Sequence, residues 1–276
     1  MTETQPRPQI PPEPKDDELI DVETTDWRRR VVGRSLGTAT KRSIDRGGNL
    51  IRAAASLLER SNGDGFTVQD VADEAGQSLR TLYHYFESKD DLLLAVFEEA
   101  MGTYARLITV AISGLDDPLE RLAGAIIAAA RMPEISSPGV DRGLARFRLR
   151  LGEVKPQLVA RSQEPVTSLF RDLVAEAARA GKIRDCDPEE AAFMITALNS
   201  AFIISQTLGN NFGLRRPGVF SLTSFCLEGL SASLPDGWQS GLTERIRLPS
   251  EPIVIGPPRS AKVSRARGAQ TRQLKA

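Results

Sequence analysis

Phe66-Thr67-Val68-Gln69-Asp70-Val71-Ala72, Ala75-Gly76-Gln77-Ser78, Thr81-Leu82-Tyr83-His84-Tyr85-Phe86 and Ser88-Lys89-Asp90-Asp91-Leu92 make up the stretch on which the reading of this chain turns. Thr67 to Asp70 has the form of a capping box, with Phe66 and Val71 placed as a hydrophobic staple across it. The helix that starts there carries Val68, Val71, Ala72 and Ala75 on one face, and Gly76 supplies the left-handed position that stops it. Ser78 can cap a second short helix, with Leu82 and Phe86 on one side and Arg80 and His84 on the other. Upstream, Leu50, Ala54, Leu57 and Leu58 form a longer amphipathic helix that Gly63-Asp64-Gly65 ends and whose start Gly47 and Gly48 weaken. Two short helices joined by a tight glycine turn and braced by a longer one form a helix-turn-helix.

Outward from this stretch, every strong pattern is helical. Leu93, Val96, Phe97, Ala100, Met101 and Tyr104 line a helix that begins at Lys89 and connects two domains. Asp117-Pro118 opens another, closed by Pro133, and Asp187-Pro188-Glu189-Glu190 starts one that runs to about Leu208. Further stripes lie at Leu144, Phe147 and Leu151, at Val166 to Ala177, and between Pro217 and Leu230. Aromatics are 5% of the chain and strongly alternating segments are absent, so the expected fold is all-α, with an N-terminal three-helix helix-turn-helix domain followed by a C-terminal helical domain.

The zero net charge conceals a strong segregation. Residues 1–26 hold eight acids, two basic residues and five prolines; residues 27–42 hold Arg28, Arg29, Arg30, Arg34, Lys41 and Arg42 and no acid; from Glu244 onward there are eight basic residues and two acids. The expected organisation is a disordered acidic tail and basic arm over 1–42, the DNA-binding domain over 43–96, the helical domain over 97–232 and a basic disordered tail over 233–276. Residues 43–100 contain eleven acids against five basic residues, so the six basic residues of the arm are candidates to supply the attraction to DNA from an adjacent minor groove; the alternative is a solubilising linker. Cys186 and Cys226 make neither a disulfide framework nor a metal spacing, and no uninterrupted apolar run reaches about 18 residues. A soluble, cytoplasmic protein without membrane contact, metal or cofactor is expected.

Over about 50 residues the quoted segments resemble the DNA-binding signature of the TetR family of bacterial transcriptional regulators, with Gln77 departing from the small apolar residue more often found there. The resemblance implies that Thr67, Thr81, Tyr83 and Lys89 contact the DNA backbone, which sets register without reading sequence. A cation in the first turn of a helix is disfavoured by the macrodipole, and a phosphate partner would explain Lys89. Base reading then falls to the exposed side of the recognition helix, with Ser78, Leu79, Arg80, His84 and Tyr85 as candidates and Arg80 suited to a guanine. The resemblance further implies a homodimer joined through the last two helices and a near-palindromic double-stranded operator.

The helical mass from Thr103 to Leu230 exceeds what a dimer needs, which points to a mostly apolar pocket for a small apolar or amphipathic effector. Phe147, Leu151, Phe170 and Leu173 are its candidate lining residues. Arg148 reads either as an internal ion pair or snorkelling side chain, or as the anchor of an acidic ligand. The single histidine lies in the recognition helix, and no phosphate loop, nucleophile elbow or metal cluster can be assembled, so no enzyme is expected. A repressor released by its effector is the reading that follows; a ligand-independent DNA-organising protein would use the same helix-turn-helix.

Overall fold

The structure is a computed structural model that describes residues 26–33, 40–63, 65–209, 215, 217–232 and 237–257. Among these there are twelve helices and no strand: α1 (Asp26–Gly33), α2 (Thr40–Arg60), α3 (Val68–Glu74), α4 (Leu79–Tyr85), α5 (Lys89–Ile112), α6 (Pro118–Ala130), α7 (Met132–Ile135), α8 (Pro138–Val154), α9 (Pro156–Arg179), α10 (Pro188–Leu208), α11 (Val219–Gly229) and α12 (Trp238–Arg245). They bury two apolar clusters. The head cluster gathers Leu50, Val71, Leu82, Phe86, Leu92 and Phe97, and the body cluster gathers Ile108, Leu122, Ile126, Phe170, Val174, Ile195 and Leu227. Helix α5 belongs to both, and all nine of its residues from Leu92 to Ala100 are buried.

Local chemistry sets the helix ends. Thr67 accepts from the Asp70 amide at 3.2 Å while its own amide donates to Asp70 Oδ2 at 2.7 Å, so the capping box is complete, and Phe66 and Val71 are buried as the staple. Past α3, Gly76 takes φ +61° and the Gln77 amide reaches back to the Ala72 carbonyl at 2.9 Å. At α10, Asp187 caps the Glu189 amide at 2.9 Å and Pro188 fills the first position, the start that the sequence predicts.

Two segments differ from the sequence expectation. Residues 27–33, expected within a mobile basic arm, lie in α1, which packs on α2 and α5. The indole of Trp27 is fully buried and donates to Glu99 Oε2 at 2.9 Å; Arg28 lies 3.5 Å from the same carboxylate, and Arg30 forks onto Glu98 at 2.9 and 3.2 Å. The arm has no acid of its own, but two carboxylates some seventy positions away on α5 pair with two of its six basic residues, Arg28 and Arg30. This also explains why α2 continues through Gly47 and Gly48: the Trp27 ring and Val31 lie against Gly47, and a Cβ at Gly48 would stand 2.4 Å from Pro257. Arg34 and residues 1–25 lie outside the described residues.

The second correction concerns the basic tail expected over 233–276, of which residues 237–257 are folded. Helix α12 packs on α6, and the following strap runs back towards the head, the Arg247 amide donating to the Ala111 carbonyl at 3.1 Å and the Ile253 amide to the Ile135 carbonyl at 2.8 Å. Ile255 is buried in the head cluster, and the Arg52 guanidinium donates to the Pro257 carbonyl. A further close contact joins head to body: a Cβ on Gly139 at the start of α8 would sit 2.5 Å from the Glu59 carbonyl oxygen of α2. Residues 258–276 lie outside the described residues.

Candidate functional site

In the head, α3, the Gly76 turn and α4 present their polar residues outward. Arg80 and His84 are exposed and Tyr83 is 50% exposed; Arg80 makes no hydrogen bond or ion pair among the described residues. Thr67 is exposed, and Thr81 and Leu79 are half-buried. Ser78 is committed to its cap, accepting from the Thr81 amide at 3.1 Å with the two hydroxyls 2.8 Å apart. Tyr85, a candidate for base contact, is 4% exposed and belongs to the head core, with His84 edge-on against it at 5.0 Å between ring centroids. Gln77 does not loosen the turn as a bulkier polar side chain could: its Nε2 donates to the Arg46 carbonyl at 2.9 Å and ties the turn to α2.

Lys89 also has an internal explanation that the sequence missed. Its ammonium donates to the Phe66 carbonyl and lies 4.1 Å from the centroid of the Phe66 ring, so the first-turn cation is stabilised without a phosphate. Two of its three N–H groups remain for another acceptor. Of the arm residues, Arg28 and Arg30 are consumed by Glu99 and Glu98, while Arg29 and Arg42 are exposed and Lys41 lies in the first turn of α2.

The body holds a cavity of about 100 Å³ between α5, α8, α9 and α10. Its apolar wall includes Phe97, Met101, Ile108, Leu144, Val166, Phe170, Ile203 and Ile204, and its polar wall Tyr104, Asp141, Arg148, Gln163, Thr196, Asn199, Ser200 and Thr207. Of the residues expected to line a pocket, Arg148 and Phe170 do so. Phe147 and Leu151 pack on the head cluster and Leu173 sits in the body core. The reason is angular: each residue turns about 100° around a helix, so Phe147 points to the head while its neighbour Arg148 points to the cavity.

The polar wall is incompletely satisfied. Arg148 Nη2 reaches Gln163 Oε1 at 3.4 Å, Arg148 Nε has no partner, and no carboxylate pairs with Arg148 among the described residues, which overturns the internal ion-pair reading. Burial pushes its pKa down. Asn199 Nδ2 donates to the Ile195 carbonyl at 3.2 Å, leaving Oδ1 unpartnered, and Thr196 Oγ1 and Thr207 Oγ1 are unpartnered too. Asp141 differs, because it accepts from Ser136 and, at 3.2 Å, from Tyr104; burial raises its pKa while those hydroxyls oppose the rise. Contributions from α5 and α10 could not be found from stripes alone, since residues facing a cavity have the same periodicity as residues facing a core.

Outside the cavity, α10 and α11 leave apolar side chains in solvent: Phe193 is 64%, Met194 61% and Phe225 65% exposed. Helix α10 is long and apolar enough by length and composition to cross a bilayer, which a count of uninterrupted apolar residues overlooks. One of its faces is buried, with Ala192, Ile195 and Phe202 in the body cluster.

A capped short helix, a left-handed turn, a second capped helix that offers arginine, tyrosine and histidine to solvent, and a brace on either side define a helix-turn-helix protein of the DNA-binding class. Residues 50–96 match the profile of the bacterial regulatory proteins of the tetR family. It is similar to the HTH-type transcriptional regulator HbdR of Aromatoleum sp. (strain CIB), 34% identical over 95 residues that are 34% of this chain and 42% of that protein. It is also similar to the regulator BetI of Brucella abortus, 39% identical over 79 residues that are 29% of this chain and 39% of that protein. These matches span about two fifths of each relative's length. Over 68% of this chain and 97% of the other, the fold resembles that of the fatty acid degradation regulator FadR from Bacillus halodurans, with a TM-score of 0.53 at 21% identity.

Proposed function

We propose that this chain is a sequence-specific transcriptional regulator, a cytoplasmic homodimer that represses from a near-palindromic operator until a small, mostly apolar or amphipathic effector releases it. The observation that carries this reading is α4, whose core side holds Leu82 and Tyr85 while Arg80, Tyr83 and His84 stand free for a major groove. Thr67, Thr81, Tyr83 and the spare N–H groups of Lys89 serve as backbone contacts, and Arg80 and His84 read bases. The exposed stripes of α10 and α11 pair with their symmetry mates, placing two heads on successive half-sites. Effector binding acts through α5, which begins at the head and lines the cavity; a tenfold weakening of DNA binding needs about 1.4 kcal/mol of coupling. A ligand-independent DNA organiser would have no use for a cavity with four unpartnered polar atoms in its wall, which favours the regulator.

Selection of bound duplexes from a random library tests the reading. The wild type is expected to enrich a near-palindrome. Arg80→Ala should lose about 1–3 kcal/mol at one base position and relax specificity there, whereas Tyr83→Phe should weaken all sequences alike. A library that returns no preferred site would overturn the proposal, and a monomer in light scattering at micromolar concentration would remove the half-site geometry.

A further inference from the structure

We propose that the cavity is built for a compact carboxylic acid, about one six-membered ring in size and carrying a hydroxyl or N–H donor, and not for a long acyl chain. This rests on the reading of the cavity as the effector site and adds the chemistry of the effector.

Size comes first. The cavity measures about 100 Å³, whereas a dry protein cavity of roughly 150 Å³ accepts benzene. A single ring with its substituents therefore already requires side chains of the wall to shift, and a chain of ten or more carbons requires a larger displacement still.

Charge decides the head group. Among the described residues Arg148 is the only cation in the cavity wall, lacks a carboxylate partner and has an unsatisfied Nε. Arg148 is half-buried, its Nε is closed off without a partner, and the neutral amide of Gln163 at 3.4 Å from Nη2 supplies no charge. The planar fork of an arginine matches a carboxylate through two parallel N–H bonds, so an acid relieves the deficit with one group. The wall's other ionisable groups do not compete. Asp141 lies seven residues earlier on α8, about 10 Å along the axis, where it accepts from the hydroxyls of Ser136 and Tyr104.

The donor on the ligand follows from Asn199. The residue is buried to 3% exposure, and because one N–H of Nδ2 goes to the Ile195 carbonyl, the amide atom left wholly without a partner is the acceptor, Oδ1. An acceptor asks for a donor, and Thr196, one turn earlier with its own unpartnered hydroxyl, can give or take a second bond. A purely apolar acid would satisfy Arg148 and leave Asn199 unpaired.

Melting temperature and calorimetric titration of the full chain test this with 3- and 4-hydroxycyclohexanecarboxylate, their methyl esters, unsubstituted cyclohexanecarboxylate and dodecanoate. The hydroxy acids are expected to raise the melting temperature, one of them binding at least tenfold more tightly than its ester and than the unsubstituted acid. Arg148→Met should melt no lower than the wild type when free and lose the response to the acids, while Arg148→Lys keeps part of it. Thr196→Val and Asn199→Leu should narrow the advantage of the hydroxyl. Esters that stabilise as well as acids, dodecanoate binding more tightly than every ring acid, or no stabilisation by any ring acid would each overturn the proposal. A ring acid that binds and leaves operator affinity unchanged would instead remove the release step and leave the ligand chemistry standing.

Discussion

The polar groups of the head and those of the cavity are held in opposite ways. Around the helix-turn-helix, Thr67 with Asp70, Ser78 with Thr81 and Ser88 with Asp91 close three bonds of one pattern, each between a cap and the residue three further on. Even the buried carboxylates at the back of the head find partners, Glu98 in Arg30 and Glu99 in Trp27 and Arg28. In the body, Thr196, Asn199, Thr207 and Arg148 bring polar atoms to one cavity and leave them unpaired. A satisfied network fixes a single arrangement, and an unsatisfied one stores a deficit that a ligand can remove. The head is thus nearly finished before it meets DNA, with only Arg28 Nε and Gln77 Oε1 buried and unpartnered among its described residues, while the cavity gathers four such atoms in one wall.

The strongest way to break this contrast is to make the head unfinished. Trp27→Ala removes a fully buried indole and leaves the Glu99 carboxylate with weaker partners, at a cost of about 3–5 kcal/mol in urea unfolding. If the loss is no larger than that of a surface substitution, α1 is an ornament and the head is complete without it. The next effect concerns the seam. Gly139→Ala places a methyl 2.5 Å from the Glu59 carbonyl oxygen, where backbone faces backbone, and should cost about 1–3 kcal/mol. It should also weaken the coupling between ligand and DNA, read as a smaller change in operator affinity on adding ligand, because α2 and α8 can no longer seat on each other.

How far the sequence disclosed all this follows from the same contrast. The head was legible because its signals are local: a capping box, a left-handed glycine and a serine cap each lie within four residues, and they place α3, α4 and the start of α5 where the structure has them. The same locality misled at Lys89, whose partner Phe66 is twenty-three residues away, and at Arg28 and Arg30, whose carboxylates are about seventy away. Periodicity alone does not separate a core-edge aromatic from an exposed one, so the pattern makes Tyr85 a candidate for DNA although it lies in the core. In the body, Arg148 is visible as a charge on an apolar stripe, but the same stripes point to Phe147, Leu151 and Leu173 as pocket residues, and these pack elsewhere. A stripe states that a face is covered, and only the arrangement of four helices states whether a side chain or a cavity covers it. The strap over 246–257 carried no periodicity at all, and its role appears only through its contacts with Ala111, Ile135 and Arg52.

The smallest expected effects give the sharpest comparison, because two hydroxyls of similar size are removed from the two regions. Ser88 Oγ accepts from the Asp91 amide at 3.1 Å, and its loss leaves an amide at the start of α5 without its partner. Ser88→Ala should therefore cost about 1 kcal/mol, although the residue is exposed and touches no core. Thr196 Oγ1 is buried and bonds to nothing, so Thr196→Val replaces an unsatisfied hydroxyl by a methyl of nearly the same shape. Folding then no longer bears the desolvation of that hydroxyl, and the variant should be as stable as the wild type or gain up to about 1 kcal/mol. Paired urea titrations of the two variants at one temperature decide the matter. If Thr196→Val loses as much as Ser88→Ala, the threonine has a partner in solution, the cavity wall is satisfied without a ligand, and the contrast between the two regions fails.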